Sequence, residues 1–183
     1  MERSRASAST FWSLVLTVVV LDVITKAWAV MTLVPQHLPR EIIGDWVRFT
    51  LVHNRGAAFG LRVESLFGID LDPYSRAIFI TLTLVALFIL ARIYRATPAA
   101  DRVRIIALGL VCGGAVGNLI DRIRSSLGVV DFIDIGIGDH RWPTFNVADM
   151  AVSTGAVLLA WALWGEEKQG PSVAQTVSVE PKA

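Results

Sequence analysis

Residues 10–34 read TFWSLVLTVVVLDVITKAWAVMTLV, and this stretch decides the class of the fold. One helix needs about 20 mostly apolar residues to cross the hydrocarbon core of a bilayer, and this stretch supplies them. Asp22 and Lys26 interrupt its apolar run, and no small-residue cleavage site follows at the distance that a signal peptide requires. We therefore expect a retained membrane-spanning helix.

Three more apolar stretches predict helices that span the membrane, at residues 74–94, 104–121 and 147–165. The composition agrees, because 54% of the 183 residues are hydrophobic, only 18% are charged, and the mean hydropathy is +0.56. A soluble domain of this size would need more polar surface. The sequence thus predicts an all-α integral membrane protein with four transmembrane helices in one domain, residues 1–165, followed by a disordered cytoplasmic tail, residues 166–183.

Charge and cysteine content exclude several classes of protein. The 17 basic and 16 acidic residues give a net charge of +1, so the basic surface expected of a nucleic-acid-binding protein is missing. Cys112 is the only cysteine, so the chain has no disulfide framework, and no histidine lies in a predicted span to activate its thiol. His37, His53 and His140 lie outside the spans, without the spacing of a zinc motif. We expect no metal ion and no other cofactor.

The distribution of arginine predicts the orientation in the membrane. The short segment 91–104 carries four arginines and one acid, whereas the long segment 35–73 carries four arginines and five acids. Because arginine-rich connections stay in the cytoplasm, we expect both termini and segment 91–104 there, and segments 35–73 and 122–146 outside. Within the outer segment, residues 40–60 contain a period-two alternation around Phe49, which predicts a small extracytoplasmic β-sheet on the membrane surface.

Several polar or small side chains occupy positions where a membrane helix ordinarily carries large apolar ones. Asp22 and Lys26 lie four residues apart on one helix face, and each alone costs roughly 2.5–3.5 kcal/mol at the bilayer centre. A self-neutralising structural pair is one interpretation, and we favour a pair that functions in or supports a site. In the third span, glycines at a spacing of four predict a face for helix packing, namely Gly109, Gly113 and Gly117.

Carboxylates and amides collect near the predicted outer ends of the spans. Asp121 and Arg122 close the third span, where an interfacial ion pair and a place in an active site are both open interpretations. Asn146 predicts the N-cap of the fourth helix, with Asp149 in its first turn, and Asp131 lies in the preceding outer loop. The polar residues at this depth are Lys26, Asn118, Asp121, Asp131, Asn146 and Asp149. When several carboxyl groups lie close together beside apolar side chains, their pKa values are raised and separated from one another. Because such shifts are typical of active sites, an active site is predicted near the outer face.

These polar residues fall in motifs that follow one another along the chain. The motifs are Asp22-x-x-x-Lys26, Asn54-Arg55-Gly56-Ala57-Ala58-Phe59, the run from Gly113 to Arg122 that reads GGAVGNLIDR, Val129-Val130-Asp131-Phe132, and Phe145-Asn146-Val147-Ala148-Asp149. With these motifs the chain resembles the signal peptidase II family of bacterial lipoprotein signal peptidases from about Trp12 to Trp164. One residue more than in the family's usual pattern separates Arg122 from Val129.

The resemblance implies an aspartic endopeptidase of the bacterial cytoplasmic (inner) membrane that removes signal peptides from diacylglyceryl-modified prolipoproteins, cleaving before the lipidated cysteine. Asp131 and Asp149 are implied to be the catalytic pair. The residues implied to support the site or bind substrate are Asp22, Lys26, Asn54, Gly56, Asn118, Asp121, Arg122 and Asn146. The implied partners are the lipid-modified prolipoprotein and membrane phospholipid, and we expect the enzyme to act as a monomer.

Two carboxyl groups that share one proton suffice for this reaction, because one can activate water while the other protonates the scissile carbonyl oxygen. Two alternative interpretations use the same residues. A small proton-coupled membrane transporter would use the carboxylates as a relay, but the inner halves of the predicted spans carry no acidic residue to continue it. A non-catalytic membrane scaffold would tolerate replacement of the acids by asparagine.

Overall fold

The computed structural model describes residues 5–55 and 72–168. The helices of this part are α1 at Arg5–Thr32, α2 at Asp72–Ala96, α3 at Arg102–Arg124 and α4 at Val147–Lys168. All four are long and apolar enough to cross a membrane, which agrees with the number of predicted spans. α4 continues to Lys168 instead of ending at residue 165, because the glutamates that follow are good helix formers. The rest of the predicted tail lies outside the described residues.

α3 lies at the centre of the helices and packs against the other three. Half of its most apolar stretch is buried, against 6% for the corresponding stretch of α2. The predicted glycine face packs against α1, where a Cβ atom on Gly113 would lie only 2.8 Å from the Cβ atom of Val18. A Cβ atom on Gly114 would overlap the carbonyl oxygen of Ala148 in α4. Glycine therefore brings α1 and α4 close enough to α3 for their polar side chains to meet.

The segments between the helices form a four-stranded antiparallel sheet in the order β1-β2-β3-β4. Its strands are β1 at Arg40–Ile43, β2 at Val47–Asn54, β3 at Val129–Ile137 and β4 at His140–Arg141. β1 and β2 lie within the predicted β segment, whose residues 56–60 lie outside the described part. The prediction that Asp131 lies in a loop is wrong, because Asp131 lies on β3. The valine, isoleucine and phenylalanine side chains of β3 favour a strand, and β2 provides the pairing partner.

An apolar cluster attaches the sheet to the end of α1. Its buried members are Ala29 of α1, Leu33 just after that helix, Leu51 of β2, and Val130 and Phe132 of β3. The ring of Trp28 contacts the rings of Phe49 and Phe132 edge-on, with centroids 5.2 Å and 6.1 Å away. This cluster holds β3, and with it Asp131, against the helices.

α2 is the most exposed of the helices and packs mainly against α3. Arg76 of α2 donates hydrogen bonds to the carbonyl oxygens of Arg122 and Ile123, at 2.6 Å and 2.7 Å. The last carbonyl groups of a helix have no partner within that helix, so Arg76 satisfies the C-terminal end of α3. This end of α3 borders the pocket described next.

Candidate active site

A pocket of about 580 Å³, its open mouth included, lies where the sheet meets the ends of α3 and α4. It is lined by Asn54, Asn118, Arg122, Val129, Asp131, Thr144, Phe145, Asp149, Val152 and Ser153. The two acids implied by the resemblance therefore share one pocket. Val152 and Ser153 were not predicted, although they follow Asp149 on α4 at i+3 and i+4 and helical periodicity could have found them.

Asp131 is almost completely buried, with 2% of its surface exposed. Its Oδ1 accepts a hydrogen bond from Nδ2 of Asn146 at 2.6 Å, and its Oδ2 accepts one from Nδ2 of Asn54 at 3.1 Å. Burial, together with the negative charge of Asp149, raises the pKa of Asp131 to about 7, against the opposing effect of the two amide donors. This carboxyl group can therefore both hold and release a proton near neutral pH.

Asp149 lies in the first turn of α4 and is partly exposed to the pocket. Its backbone N–H donates to Oδ1 of Asn146 at 2.9 Å, and its Oδ2 accepts from the backbone N–H of Asn146 at 3.2 Å. This reciprocal pair is a capping box, and it confirms Asn146 as the predicted N-cap. The other oxygen, Oδ1, accepts a hydrogen bond from Nδ2 of Asn118 at 2.8 Å. Both carboxylate oxygens of Asp149 thus accept hydrogen bonds that fix their position.

A buried cluster of ion pairs joins α1 to α3 beside the pocket. Nζ of Lys26 lies 2.8 Å from Oδ2 of Asp22 and 2.8 Å from Oδ2 of Asp121. The predicted pair between Asp22 and Lys26 is therefore present, and Asp121 extends it, a partner that the sequence alone did not indicate. Asp121 also accepts a hydrogen bond from the backbone N–H of Val130 at 3.2 Å, so the residue before Asp131 is attached to the same cluster.

Asp22 extends this cluster to the fourth helix. Its Oδ1 accepts a hydrogen bond from the backbone N–H of Ala148 at 2.9 Å, in the first turn of α4. A Cβ atom on Gly117 would lie 2.6 Å from Oδ2 of Asp22, so a side chain at this position of α3 would displace the carboxylate. Glycine at 117 is therefore needed for the cluster as well as for helix packing.

The remaining predicted residues lie at the edge of the site or outside the described part. Arg122 lines the pocket, donates to the carbonyl oxygen of Asn118 at 3.3 Å, and lies with its guanidinium carbon 5.5 Å from the ring centroid of Phe79. Gly56 lies outside the described residues. Within residues 5–55 and 72–168, no three His, Cys, Asp or Glu side chains are grouped to hold a metal ion. The pocket offers two carboxyl groups that can exchange protons with water and a peptide bond.

Similarities to known proteins extend over the same part of the chain. The family model described as signal peptidase (SPase) II matches residues 14–165. The lipoprotein signal peptidase of Syntrophomonas wolfei subsp. wolfei is 40% identical over 149 residues, which cover 81% of this chain and 89% of that protein. The lipoprotein signal peptidase of Hydrogenovibrio crunogenus is 36% identical over 181 residues, which cover 97% of this chain and 100% of that protein.

The fold is similar to a solved structure as well. A structure described as a bacterial membrane enzyme, determined by the in meso method, matches with a TM-score of 0.70 at 26% identity, and the match covers 95% of each chain. Family model, relatives and fold agree with the resemblance carried by the sequence motifs. The chain therefore belongs to the signal peptidase II family.

Proposed function

We propose that the chain is an aspartic endopeptidase that removes the signal peptide from a diacylglyceryl-modified prolipoprotein and cleaves before the lipidated cysteine. The observation that carries this proposal is the pair of carboxyl groups, Asp131 and Asp149, which line one pocket at the end of the membrane-spanning helices. The relatives are named lipoprotein signal peptidases, which supports a prolipoprotein as the substrate. The transporter interpretation finds no support among these relatives.

Unequal burial suggests a role for each acid. Asp131 is almost completely buried and has a pKa of about 7, so it holds the shared proton near neutral pH. Asp149 borders the pocket at the N-terminal end of α4, where the helix dipole stabilises negative charge. Asp149 takes a proton from water as that water attacks the scissile carbonyl carbon, and Asp131 donates its proton to the carbonyl oxygen.

Collapse of the resulting tetrahedral intermediate breaks the C–N bond. The leaving amine takes the proton from Asp149, and Asp131 recovers a proton from a hydroxyl group of the intermediate. Both acids are then in their starting states, and no covalent intermediate has formed. One chain supplies both acids, which supports action as a monomer.

The exposed surface of the sheet supports the proposed contact of the sheet with the membrane. Its large exposed apolar side chains are Ile42, Ile43, Trp46, Ile135, Ile137 and Trp142. Exposed isoleucine and tryptophan side chains favour a membrane interface, which supports a sheet that rests on the outer membrane surface. The arginine-rich segment 91–104 supports cytoplasmic termini on the opposite side. Cysteines placed singly at Asp139 and Ala100, in a Cys112→Ala background, test this orientation with an impermeant reagent. We expect labelling of intact cells at 139 only, and labelling at 100 from outside would contradict the orientation.

The lipid on the substrate sets the depth of the scissile bond. Buried acyl chains contribute about 0.8 kcal/mol per CH₂, so a diacylglyceryl group anchors the modified cysteine among the phospholipids at the level of the pocket. An unlipidated cysteine followed by a polar chain lies at variable depths and rarely reaches a reactive position. The lipid therefore holds the scissile bond at the depth of Asp131 and Asp149.

The experiment compares two precursors that differ only in the diacylglyceryl group. Purified protein at equal detergent concentration is expected to cleave the lipidated precursor at least about tenfold faster, since the lipid restricts the reacting bond to the depth of the dyad. Mass spectrometry of the product checks that the cut lies before the cysteine. Equal rates would contradict the lipid-anchoring proposal, and failure to cleave either precursor would contradict the peptidase proposal.

A further inference from the structure

We propose that Lys26 is a positioning residue that acts through Asn118, because it sets the direction of the Asn118 amide so that an N–H group points at Asp149. This inference rests on the proposed function, since it takes Asp149 as one of the two catalytic acids. In this proposal the buried lysine orients Asn118 in addition to neutralising the carboxylates of Asp22 and Asp121.

The chemistry of an ammonium group fixes one end of the Asn118 amide. Nζ of Lys26 contacts oxygen atoms of Asp22, Asp121 and Asn118 at 2.8 Å, 2.8 Å and 2.9 Å. An ammonium group has three donors and no acceptor, so the Asn118 atom that faces it must be the carbonyl oxygen Oδ1. Lys26 is only 3% exposed, so its three donors are directed to these oxygens and not to bulk water.

Asn146 supports the same direction only in part, because its Nδ2 carries two N–H groups and also faces the carbonyl oxygen of Val130 at 3.2 Å and Oδ1 of Asp131 at 2.6 Å. The same Nδ2 lies 3.2 Å from Oδ1 of Asn118. The Asn146 amide is itself held in one direction, because its Oδ1 accepts the backbone N–H of Asp149 at the start of α4. The ammonium group, with this partial support, therefore faces Oδ1 of Asn118, which leaves Nδ2 of Asn118 to donate to Asp149 at 2.8 Å. The reversed amide would place N–H groups against donors and an oxygen against the carboxylate.

The consequence for the reaction is the orientation of the Asp149 carboxylate. Its Oδ1 takes the donor of Asn118 and its Oδ2 takes the backbone N–H of Asn146. Without the Asn118 donor, the carboxylate can rotate about its Cβ–Cγ bond and leave its alignment with the attacking water. A misplacement of about 1 Å at a reacting group can cost about 100-fold in rate. We expect loss of this donor to lower kcat about 10- to 100-fold and to leave KM almost unchanged.

Asn118→Asp and Asn118→Leu form a matched pair that tests the donor. An aspartic acid that carries its proton keeps both contacts, because its carbonyl oxygen accepts from Lys26 and its O–H donates to Asp149. Once ionised it can only accept, and leucine of similar size never donates. We therefore expect the ratio of kcat for Asn118→Asp to kcat for Asn118→Leu to rise at least about tenfold from pH 8 to pH 5.5 on the lipidated precursor.

The ratio removes the pH dependence that both variants share through the other titrating groups of the site. Those around position 118 and Lys26 are Asp22 on α1, Asp121 and Arg122 on α3, Asp131 on β3 and Asp149 on α4, with His53 on β2 near Asp121. Both variants contain all of them, so only the residue at 118 differs. A ratio that stays constant with pH overturns the proposal. A wild-type protein that cleaves no precursor overturns the proposed function instead, so the two failures are distinguishable.

Substitutions of Lys26 test the proposal without relying on the folding of Asn118→Asp. Lys26→Arg keeps a cation that can only donate, whereas Lys26→Gln supplies an amide that also accepts and no longer fixes the direction of Asn118. With rates referred to folded protein, we expect Lys26→Gln to have a kcat at least about tenfold below that of Lys26→Arg, at similar KM. Equal kcat values for the two variants overturn the proposal.

Discussion

The pocket has a helix side and a sheet side, which hold their acids by different means. On the helix side, Asp149 is connected through Asn118 to a cluster in which Lys26 pairs with the buried Asp22 and the partly exposed Asp121. On the sheet side, Asp131 lies on a strand and accepts hydrogen bonds from two side-chain amides. The helix side keeps its acid at the pocket wall, whereas the sheet side buries its acid and raises the pKa of Asp131 to about 7. Unequal burial thus distinguishes two chemically identical side chains.

The largest expected effect comes from removing either acid, which tests whether both sides of the pocket supply a catalytic group. We expect Asp131→Asn and Asp149→Asn each to lower kcat by about 1,000-fold, because general acid and general base steps typically contribute 10²–10⁴ and the dyad needs both. The measurement is the initial rate of cleavage of the lipidated precursor. Asp139→Asn, which changes an exposed acid between β3 and β4, is the matched control and is expected to retain the wild-type rate. Substantial turnover by either dyad variant would remove that residue from the catalytic pair.

The helix side of the site could largely be predicted from the sequence. Charged residues inside an apolar span are conspicuous, so the spacing of Asp22 and Lys26 indicated their ion pair. A capping residue before an apolar run likewise indicated the N-cap at Asn146. The partnership of Lys26 with Asp121 was not predictable, because it depends on how α1 is rotated against α3. That rotation is set by the glycine contacts between the two helices, which no local pattern specifies.

The sheet side could not be predicted to the same degree. Asp131 and Asp134 interrupt the apolar run of β3, so the segment lacked the alternation that identified β2. Both acids are buried because partners distant in the sequence reach them, Asn54 in one case and Thr50 in the other. The raised pKa of Asp131 has the same origin, since burial arises from the assembled fold and not from neighbouring residues in the sequence.

The pH dependence of the protein's stability tests whether the sheet side raises the pKa of Asp131. The pKa of Asp131 is about 7 in the folded protein against an ordinary value of 3.8, so the folded state binds more protons between these values. The stability linked to this proton is fully present below pH 3.8 and is lost as the pH rises through about 7. We expect the wild-type unfolding midpoint to fall over this range relative to Asp131→Asn, by the equivalent of a few kcal/mol, at most about 4.

Thermal unfolding in detergent at half-unit steps from pH 4 to pH 8.5 measures this effect. Asp139→Asn is again the control, because it changes the same side chain away from the pocket. A difference between wild type and Asp131→Asn that is independent of pH would show that Asp131 titrates alike in the folded and unfolded chains. Burial on the sheet side would then not change the pKa of Asp131.

Packing on the helix side gives a smaller expected effect. Gly114→Val places a side chain against the carbonyl oxygen of Ala148, next to Asp149, so the backbone of α3 or α4 must shift. Overpacking of this kind costs about 1–3 kcal/mol, and we expect a lower unfolding midpoint together with a lower kcat. Ala160→Val, at an exposed position of α4, controls for adding a β-branched residue to a membrane helix. A variant that loses stability but keeps its kcat would show that the dyad tolerates movement of α4.

The smallest expected effect concerns the sheet side away from the pocket. Oγ1 of Thr50 donates to Oδ2 of Asp134 at 3.1 Å, and Nε of Arg141 holds the other oxygen of that carboxylate at 2.8 Å. Thr50→Val keeps the shape and removes one hydrogen bond, while Asp134 keeps its cationic partner, so we expect a loss of only about 1 kcal/mol. Thr83→Val on α2, whose hydroxyl bonds its own helix, is the control for removing a threonine hydroxyl group.

The rate of cleavage by Thr50→Val then tests how firmly the sheet holds its acid. Asp131 is fixed by the apolar cluster with α1 and by two amide donors, none of which involves Thr50. We therefore expect kcat within about twofold of wild type, because no group that positions the dyad has moved. A tenfold loss of kcat at nearly unchanged stability would contradict this. It would mean that β3 carries small displacements from Asp134 to Asp131, and that the sheet side is as sensitive to remote packing as the helix side is at Gly114.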